Sequence, residues 1–141
     1  MWRDNADPRG AGRFSDAVDA PKARIHRATV TRAEQHYEGS VAVDGRLPDL
    51  AGIREYEQVH VWNVDNGQRF VTYAIRAEEG SGTASVNGAA ALRVQPRHKV
   101  IVAAWAQLDA AEAERFQPTL VYLDADSRLR RINRSIPKQA A

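Results

Sequence analysis

The pair Gly39-Ser40 is where this chain could do chemistry on its own backbone. A serine hydroxyl can attack the carbonyl of the residue before it when that peptide is strained and its oxygen polarised. Glycine is the residue that tolerates such a conformation. Taken alone, the dipeptide fits far better a plain turn glycine followed by a strand-opening serine. Thr72-Tyr73 adds a hydroxyl and a phenol, and a phenol is protonated at neutral pH and able to donate. Arg69 offers a planar fork for a carboxylate, although an arginine at a hairpin edge also serves solubility. Other chemistries find no support. The chain has no Cys, which removes disulfides, Cys-ligated zinc, iron–sulfur clusters and a thiolate nucleophile. His26, His36, His60 and His98 lack metal-ligand spacing, so no metal is expected. No glycine-rich phosphate loop is present, and Ser40 does not sit in the G-x-S-x-G elbow of a hydrolase.

The elements that must position these residues are mostly short strands. Residues 24–30, 40–44, 58–64, 69–75, 99–106 and 119–123 are short, β-branched or alternating. Asp65-Asn66-Gly67-Gln68 joins two of them, and its Asn-Gly pair is a strong hairpin signal. Three helical turns are expected. One covers 31–36, capped by Thr31 with Glu34 at capping-box spacing. A second covers 48–53, with Pro48 near its start. A third covers 109–116, capped by Asp109. Many strands with turns between them predict a mainly β sandwich or barrel with a few short helices.

Composition bounds the rest. At 141 residues one domain is expected. Lys plus Arg is 20 and Asp plus Glu is 18, so the net charge of +2 gives no general pull toward nucleic acid or an anionic membrane. The 24 alanines bury little area each, which suits a barrel that finishes its burial in an oligomer. Residues 1–21 read as a disordered arm, 22–125 as the folded domain and 126–141 as a basic tail. That tail carries Arg128, Arg130, Arg131, Arg134 and Lys138 and reads as a solvated end rather than a nucleic-acid site. No membrane span or secretory signal is found, so a soluble cytoplasmic protein is expected.

Five stretches appear in register: Ile25–Thr31, His36–Ser40, Trp62–Phe70, Thr72–Ile75 and Ser85–Ala91. Together they resemble the pyruvoyl-dependent aspartate 1-decarboxylase family over about residues 22–125. The resemblance implies a double-psi β-barrel in a homotetramer with active sites between subunits. It implies decarboxylation of L-aspartate to β-alanine and CO2 for pantothenate biosynthesis. It also implies self-cleavage: the Ser40 hydroxyl attacks the Gly39 carbonyl to give an ester, elimination leaves dehydroalanine, and hydrolysis yields an N-terminal pyruvoyl group. That group, the implied cofactor, forms a Schiff base with the substrate amine and takes up the electrons of the leaving carboxylate, as pyridoxal phosphate does elsewhere. Site roles carry over residue by residue. Ser40 matches the pyruvoyl precursor, Tyr73 the proton donor, and Thr72 a residue that serves processing and then substrate. Arg69 matches the carboxylate-binding arginine, and Gly88, Ala89 and Ala90 a backbone segment lining the substrate. Asn87 matches a polar group beside the pyruvoyl. His26 matches a histidine near the site, and Arg24 stands where the family usually has Lys.

Thr72 and Tyr73 are adjacent on a strand and face opposite ways, so both serve one site only if it lies at a strand end, a twist or an interface. Three departures from the family stand out: Arg24, Leu92 where many members have His, and Arg97-His98 where they have a Gly-Asp turn. They leave open a pyruvoyl decarboxylase for another amino acid or pathway. A non-catalytic β-barrel interaction module remains the rival from another class. A maturation partner is compatible with the sequence but not identified by it.

Overall fold

A computed structural model describes residues 17–140. The chain runs β1 (Val18–Thr29), β2 (Arg32–Glu34), β3 (Val41–Asp44), α1 (Arg46–Ala51), β4 (Gln58–Asn63) and β5 (Arg69–Ala77). It continues through β6 (Ala84–Asn87), a 3₁₀ helix (Gly88–Arg93), β7 (Lys99–Leu108), α2 (Ala110–Arg115), β8 (Thr119–Leu123) and β9 (Leu129–Asn133). The strand order is β2-β6-β3-β5-β4-β7-β1-β8-β9. Because β2 follows β1 almost without interruption, the first strand of this order is joined directly to β1, two strands in from the other end. One continuous segment pairs with β7 through β1 and with β6 through β2, which closes the sheet into a barrel. Beta-branched residues that are fully buried fill it, among them Ile25, Val41, Val59, Val86, Val100 and Val121. Such side chains are stiff and pack well on a pleated surface, so an alanine-rich chain still builds a dense interior.

The hairpin expected at Asn66-Gly67 joins β4 to β5, with Gln58 opposite Tyr73 and Trp62 opposite Arg69. Asp109 caps α2 and makes a reciprocal capping box with Glu112. The helical turn expected from Pro48 starts two residues earlier, at Arg46.

Other parts differ from expectation. Residues 31–36 form no helical turn. The Thr31 N–H donates to the Ala84 carbonyl at 2.8 Å and its hydroxyl accepts the Ala84 N–H at 3.0 Å. The would-be cap therefore joins a strand, and Arg32, Ala33 and Glu34 pair in parallel with Ser85, Val86 and Asn87. The segment assigned to an arm up to residue 21 is ordered from Val18, where β1 pairs with Leu108 back to Trp105 on β7. The ladder is irregular between Pro21 and Ala23, next to the residue with no N–H to give. Residues 1–16 of that arm lie outside the described residues. The segment assigned to a basic tail includes β9, which pairs antiparallel with β8, Val121 opposite Ile132. Among the described residues, no helix is long and apolar enough to cross a membrane.

Candidate functional site: a serine at the open end of a strand

Ser40 precedes β3, where three strands converge. Val41 is level with Ala74 of β5 in a parallel ladder and with Val86 of β6 in an antiparallel one. One step back, the same register sets Ser40 level with Tyr73 and with Asn87, and Gly39 level with Thr72. The Ser40 carbonyl accepts the Asn87 N–H at 2.7 Å, so the β6 ladder extends to the serine. The β3·β5 ladder begins only after it. That opening is how neighbours on β5 serve one place: the site lies at a strand end, one of the geometries the alternation of Thr72 and Tyr73 requires.

Gly39 has φ +89°, in the left-handed region. A Cβ there would sit 2.7 Å from Ile75 Cδ1, the movable end of a side chain, so it is the backbone conformation that favours glycine. Gly88 is also left-handed, at φ +67°, and a Cβ there would lie 3.8 Å from the Gly39 carbonyl oxygen. The start of the 3₁₀ helix thus faces the peptide that joins Gly39 to Ser40. Ser40 and Asn87 are buried. The Ser85 hydroxyl donates to Asn87 Oδ1 at 2.9 Å and fixes that amide oxygen.

A cavity of about 630 Å³ opens beside this junction. Gly39, Ser40, Thr72, Tyr73, Asn87, Gly88, Ala89 and Ala90 all line it. Eight of the residues expected from the sequence are therefore brought together. Tyr37, Glu38, Phe70, Val71, Leu92 and Arg93 join them without having been singled out as site groups, Leu92 having been noted only as a departure. Arg93 is the charge that residue-by-residue reasoning passed over; its only signal was its position two residues beyond the alanine triplet.

Arg69, Arg24 and His26 are not among the residues lining this cavity. The Arg69 guanidinium carbon lies 4.6 Å from the centre of the Trp62 ring. His26 packs edge-on against Tyr122, with ring centres 5.2 Å apart. It lines a separate cleft of about 390 Å³ with Arg27, Lys99, Arg130 and Arg131. Arg24 Nε and His26 Nδ1 are buried with no hydrogen-bond partner among the described residues. Burial, then the charges of Arg24, Arg27 and Arg131, push the His26 imidazole below its ordinary range. No group of three or more His, Asp or Glu side chains suited to a metal ion occurs among the described residues.

Closed by one continuous segment, with parallel β3·β5 and β1·β8 pairs inside a mostly antiparallel order, the fold is a mainly β, double-psi β-barrel. Its site is a serine buried behind a left-handed glycine. The chain belongs to the aspartate decarboxylase family, whose model matches residues 17–130. It is 59% identical over 120 residues to the aspartate 1-decarboxylase of Xanthomonas campestris pv. campestris (strain B100), covering 85% of this chain and 95% of that one. The enzymes of the same name from Xylella fastidiosa (strain M12) and Thioalkalivibrio sulfidiphilus (strain HL-EbGR7) are 58% and 57% identical with the same coverage. Among solved structures, the rationally designed mkDPBB_sym_86 protein aligns with TM-score 0.40 and 18% identity over 56% of this chain and 91% of its own. The computationally designed msDPBB_sym2 protein aligns with TM-score 0.35 and 18% identity, over 64% and 99%.

Proposed function

We propose that the protein is a self-processing decarboxylase that converts L-aspartate to β-alanine and CO2, the β-alanine serving pantothenate biosynthesis in the cytoplasm. Family membership supports the reaction. The observation that carries the site is the Gly39–Ser40 junction: a left-handed glycine, a buried serine and a free strand end opening on a cavity.

The Ser40 hydroxyl attacks the Gly39 carbonyl, the C–N bond breaks and an ester forms. Loss of the Ser40 α proton then expels the Gly39 carboxylate and leaves dehydroalanine. Water replaces the nitrogen, which leaves as ammonia, and a pyruvoyl group caps the new chain. Serine supplies both the nucleophile and the three-carbon skeleton. The residues present fit this group: left-handed Gly39 and Gly88 leave room on either side of the junction, and Asn87 holds the Ser40 carbonyl. When formed, the group supplies an electron sink for decarboxylation.

The other roles belong to the protein's own side chains. Thr72 serves processing and then substrate. Tyr73 holds the proton that is delivered to the α carbon. Asn87 and the backbone of Gly88, Ala89 and Ala90 orient the substrate; small side chains there let main-chain N–H groups approach a carboxylate. Arg69 holds the substrate's second carboxylate, with Arg24 and His26 as further basic groups around the substrate. These three are not among the cavity-lining residues of their own chain, so neighbouring copies supply them in a homotetramer with active sites between subunits. The partner is L-aspartate; neither nucleic acid nor a membrane is involved.

Intact-mass analysis tests the processing. The expected result is two fragments of 39 and 102 residues, as the cut after residue 39 of 141 requires. A single uncleaved chain after prolonged warm incubation, alone or with cell extract supplying a maturation partner, overturns it. Processed protein that releases neither CO2 nor β-alanine from L-aspartate, yet acts on another amino acid, overturns the substrate.

A further inference from the structure

The 3₁₀ helix that forms one wall of the Ser40 cavity ends at Arg93, whose carbonyl falls among those a helix end leaves without an internal partner. Two side chains, one at the end of β4 and one in the β4–β5 turn, take it up. Asn63 Nδ2 and Asn66 Nδ2 each donate to the Arg93 carbonyl oxygen at 3.1 Å. Neither amide is free to flip. Asn63 Oδ1 accepts the Asp65 N–H and Asn66 Oδ1 accepts the Gln68 N–H, both at 2.9 Å. Turning either amide would set oxygen against oxygen at Arg93 and break the turn as well.

The clamp has further ties. Asn63 Nδ2 lies 2.9 Å from His98 Nδ1, which also accepts the Gln95 N–H at 3.2 Å. The Arg93 guanidinium donates to Gln68 Oε1. The turn therefore grips the far end of the wall while Gly88, at its near end, faces the Gly39 carbonyl. The turn also leads directly into β5, which carries Thr72 and Tyr73.

We propose that Asn63 and Asn66 are positioning residues: through the Arg93 carbonyl they hold the Gly88–Arg93 wall at the distance at which its backbone receives the substrate carboxylate. This rests on the substrate reading above. The two asparagines touch no reacting atom. They fix one side of the cavity relative to β5, so that a dicarboxylate meets preorganised N–H groups rather than a wall that must first settle.

The test is Asn66→Asp in the full-length, processed protein. Asn66 is exposed, so the fold tolerates the change, and the aspartate keeps an oxygen for the Gln68 N–H. The donor to Arg93 is lost, and a carboxylate oxygen that repels the carbonyl takes its place. The expected result is about fivefold faster hydrogen exchange at amides 90–94, the effect of losing one hydrogen bond. The KM for L-aspartate rises by a similar factor and kcat falls less. Asn63→Asp, which removes two donor contacts at once, has a larger effect in the same sense. Unchanged exchange in Asn66→Asp overturns the clamp, whatever the substrate. Faster exchange with unchanged KM, in protein whose parent form turns over L-aspartate, overturns the positioning role. A parent form inactive on L-aspartate overturns the functional reading, and the exchange result alone then decides the clamp.

Discussion

Two of the barrel's three parallel seams, β3·β5 and β1·β8, are furnished in opposite ways. Around β3·β5 the polar groups are small, buried and paired: the Asn87 N–H with the Ser40 carbonyl, Ser85 with Asn87, and Asp44 with three backbone N–H groups. Around β1·β8 they are long and cationic, and Arg24 Nε and His26 Nδ1 are buried without partners among the described residues. A buried donor or acceptor left unpaired costs about 1–3 kcal/mol. The first seam is complete within one chain. The second holds unsatisfied groups of the kind a dicarboxylate needs, away from the cavity that would bind it. The contrast teaches that the buried serine and the unpaired basic groups Arg24 and His26 are furnished by different parts of the fold, as the proposed site shared between copies would require.

The hardest blow to the first seam is Ser40→Ala. The protein should remain one chain by mass spectrometry, and CO2 release from L-aspartate should fall at least about a thousandfold, since without the hydroxyl there is neither an attacking oxygen nor an ester to eliminate, and the electron sink cannot form. Arg69→Ala probes a cation that β5 itself carries, outside the cavity. The KM for L-aspartate should rise about ten- to a hundredfold, the worth of a charge-assisted hydrogen bond, while cleavage at Gly39–Ser40 continues. A loss of equal size with an uncharged amino acid would show that Arg69 does not read the second carboxylate.

Smaller effects sharpen the same contrast through stability. Burial works to raise the Asp44 carboxyl, but N–H groups of Gly80, Gly82 and Arg46 and the charge of Arg46 outweigh it and hold the carboxyl below the ordinary carboxylate range. The folded protein thus binds this proton more weakly than the unfolded chain. Its contribution is full above the unfolded carboxylate range and is lost as pH falls through the lower, folded value. Asp44→Asn should cost about 1–3 kcal/mol at neutral pH and flatten the acid limb, read by urea unfolding. His26 is the weakest test. Its imidazole is held below the ordinary histidine range, so the unfolded chain takes up the proton first. The stability it contributes is present above that range and declines as pH falls through it. His26→Gln should make unfolding midpoints at pH 7.5 and pH 5.5 more alike than in the parent protein; an unchanged difference would remove His26 as the source.

The strands of both seams were legible in the sequence, 40–44 and 69–75 for the first and 24–30 and 119–123 for the second. Asn66-Gly67 and the Asp109–Glu112 box are local signals, and each forms the element it announces. Thr31 misled because a side-chain oxygen that caps a helix can equally accept from a strand, and only the position of Ala84 decides which. The segment 84–87 shows no alternation because all four residues are buried, so β6 carries no period to read. The strand β9 is four-fifths exposed and arginine-rich, and it resembles a tail until β8 pairs with it. At the site, Gly39, Ser40, Thr72 and Tyr73 are visible as types. The grip of Asn63 and Asn66 on Arg93 is not, because its acceptor is a backbone carbonyl that any residue carries.

The closure of the barrel through β1 and β2 determines what a cut at Gly39–Ser40 would leave behind. Both strands lie in the 39-residue fragment, yet they are hydrogen-bonded to β6, β7 and β8 of the other. Cleavage would therefore release nothing. It would change the molecularity: a chain that unfolds as one species becomes two that must find each other again. Unfolding of the mature form would then depend on protein concentration, as for any assembly. A cut made only after folding would spare the two fragments that search, since the precursor carries all these strands in one chain.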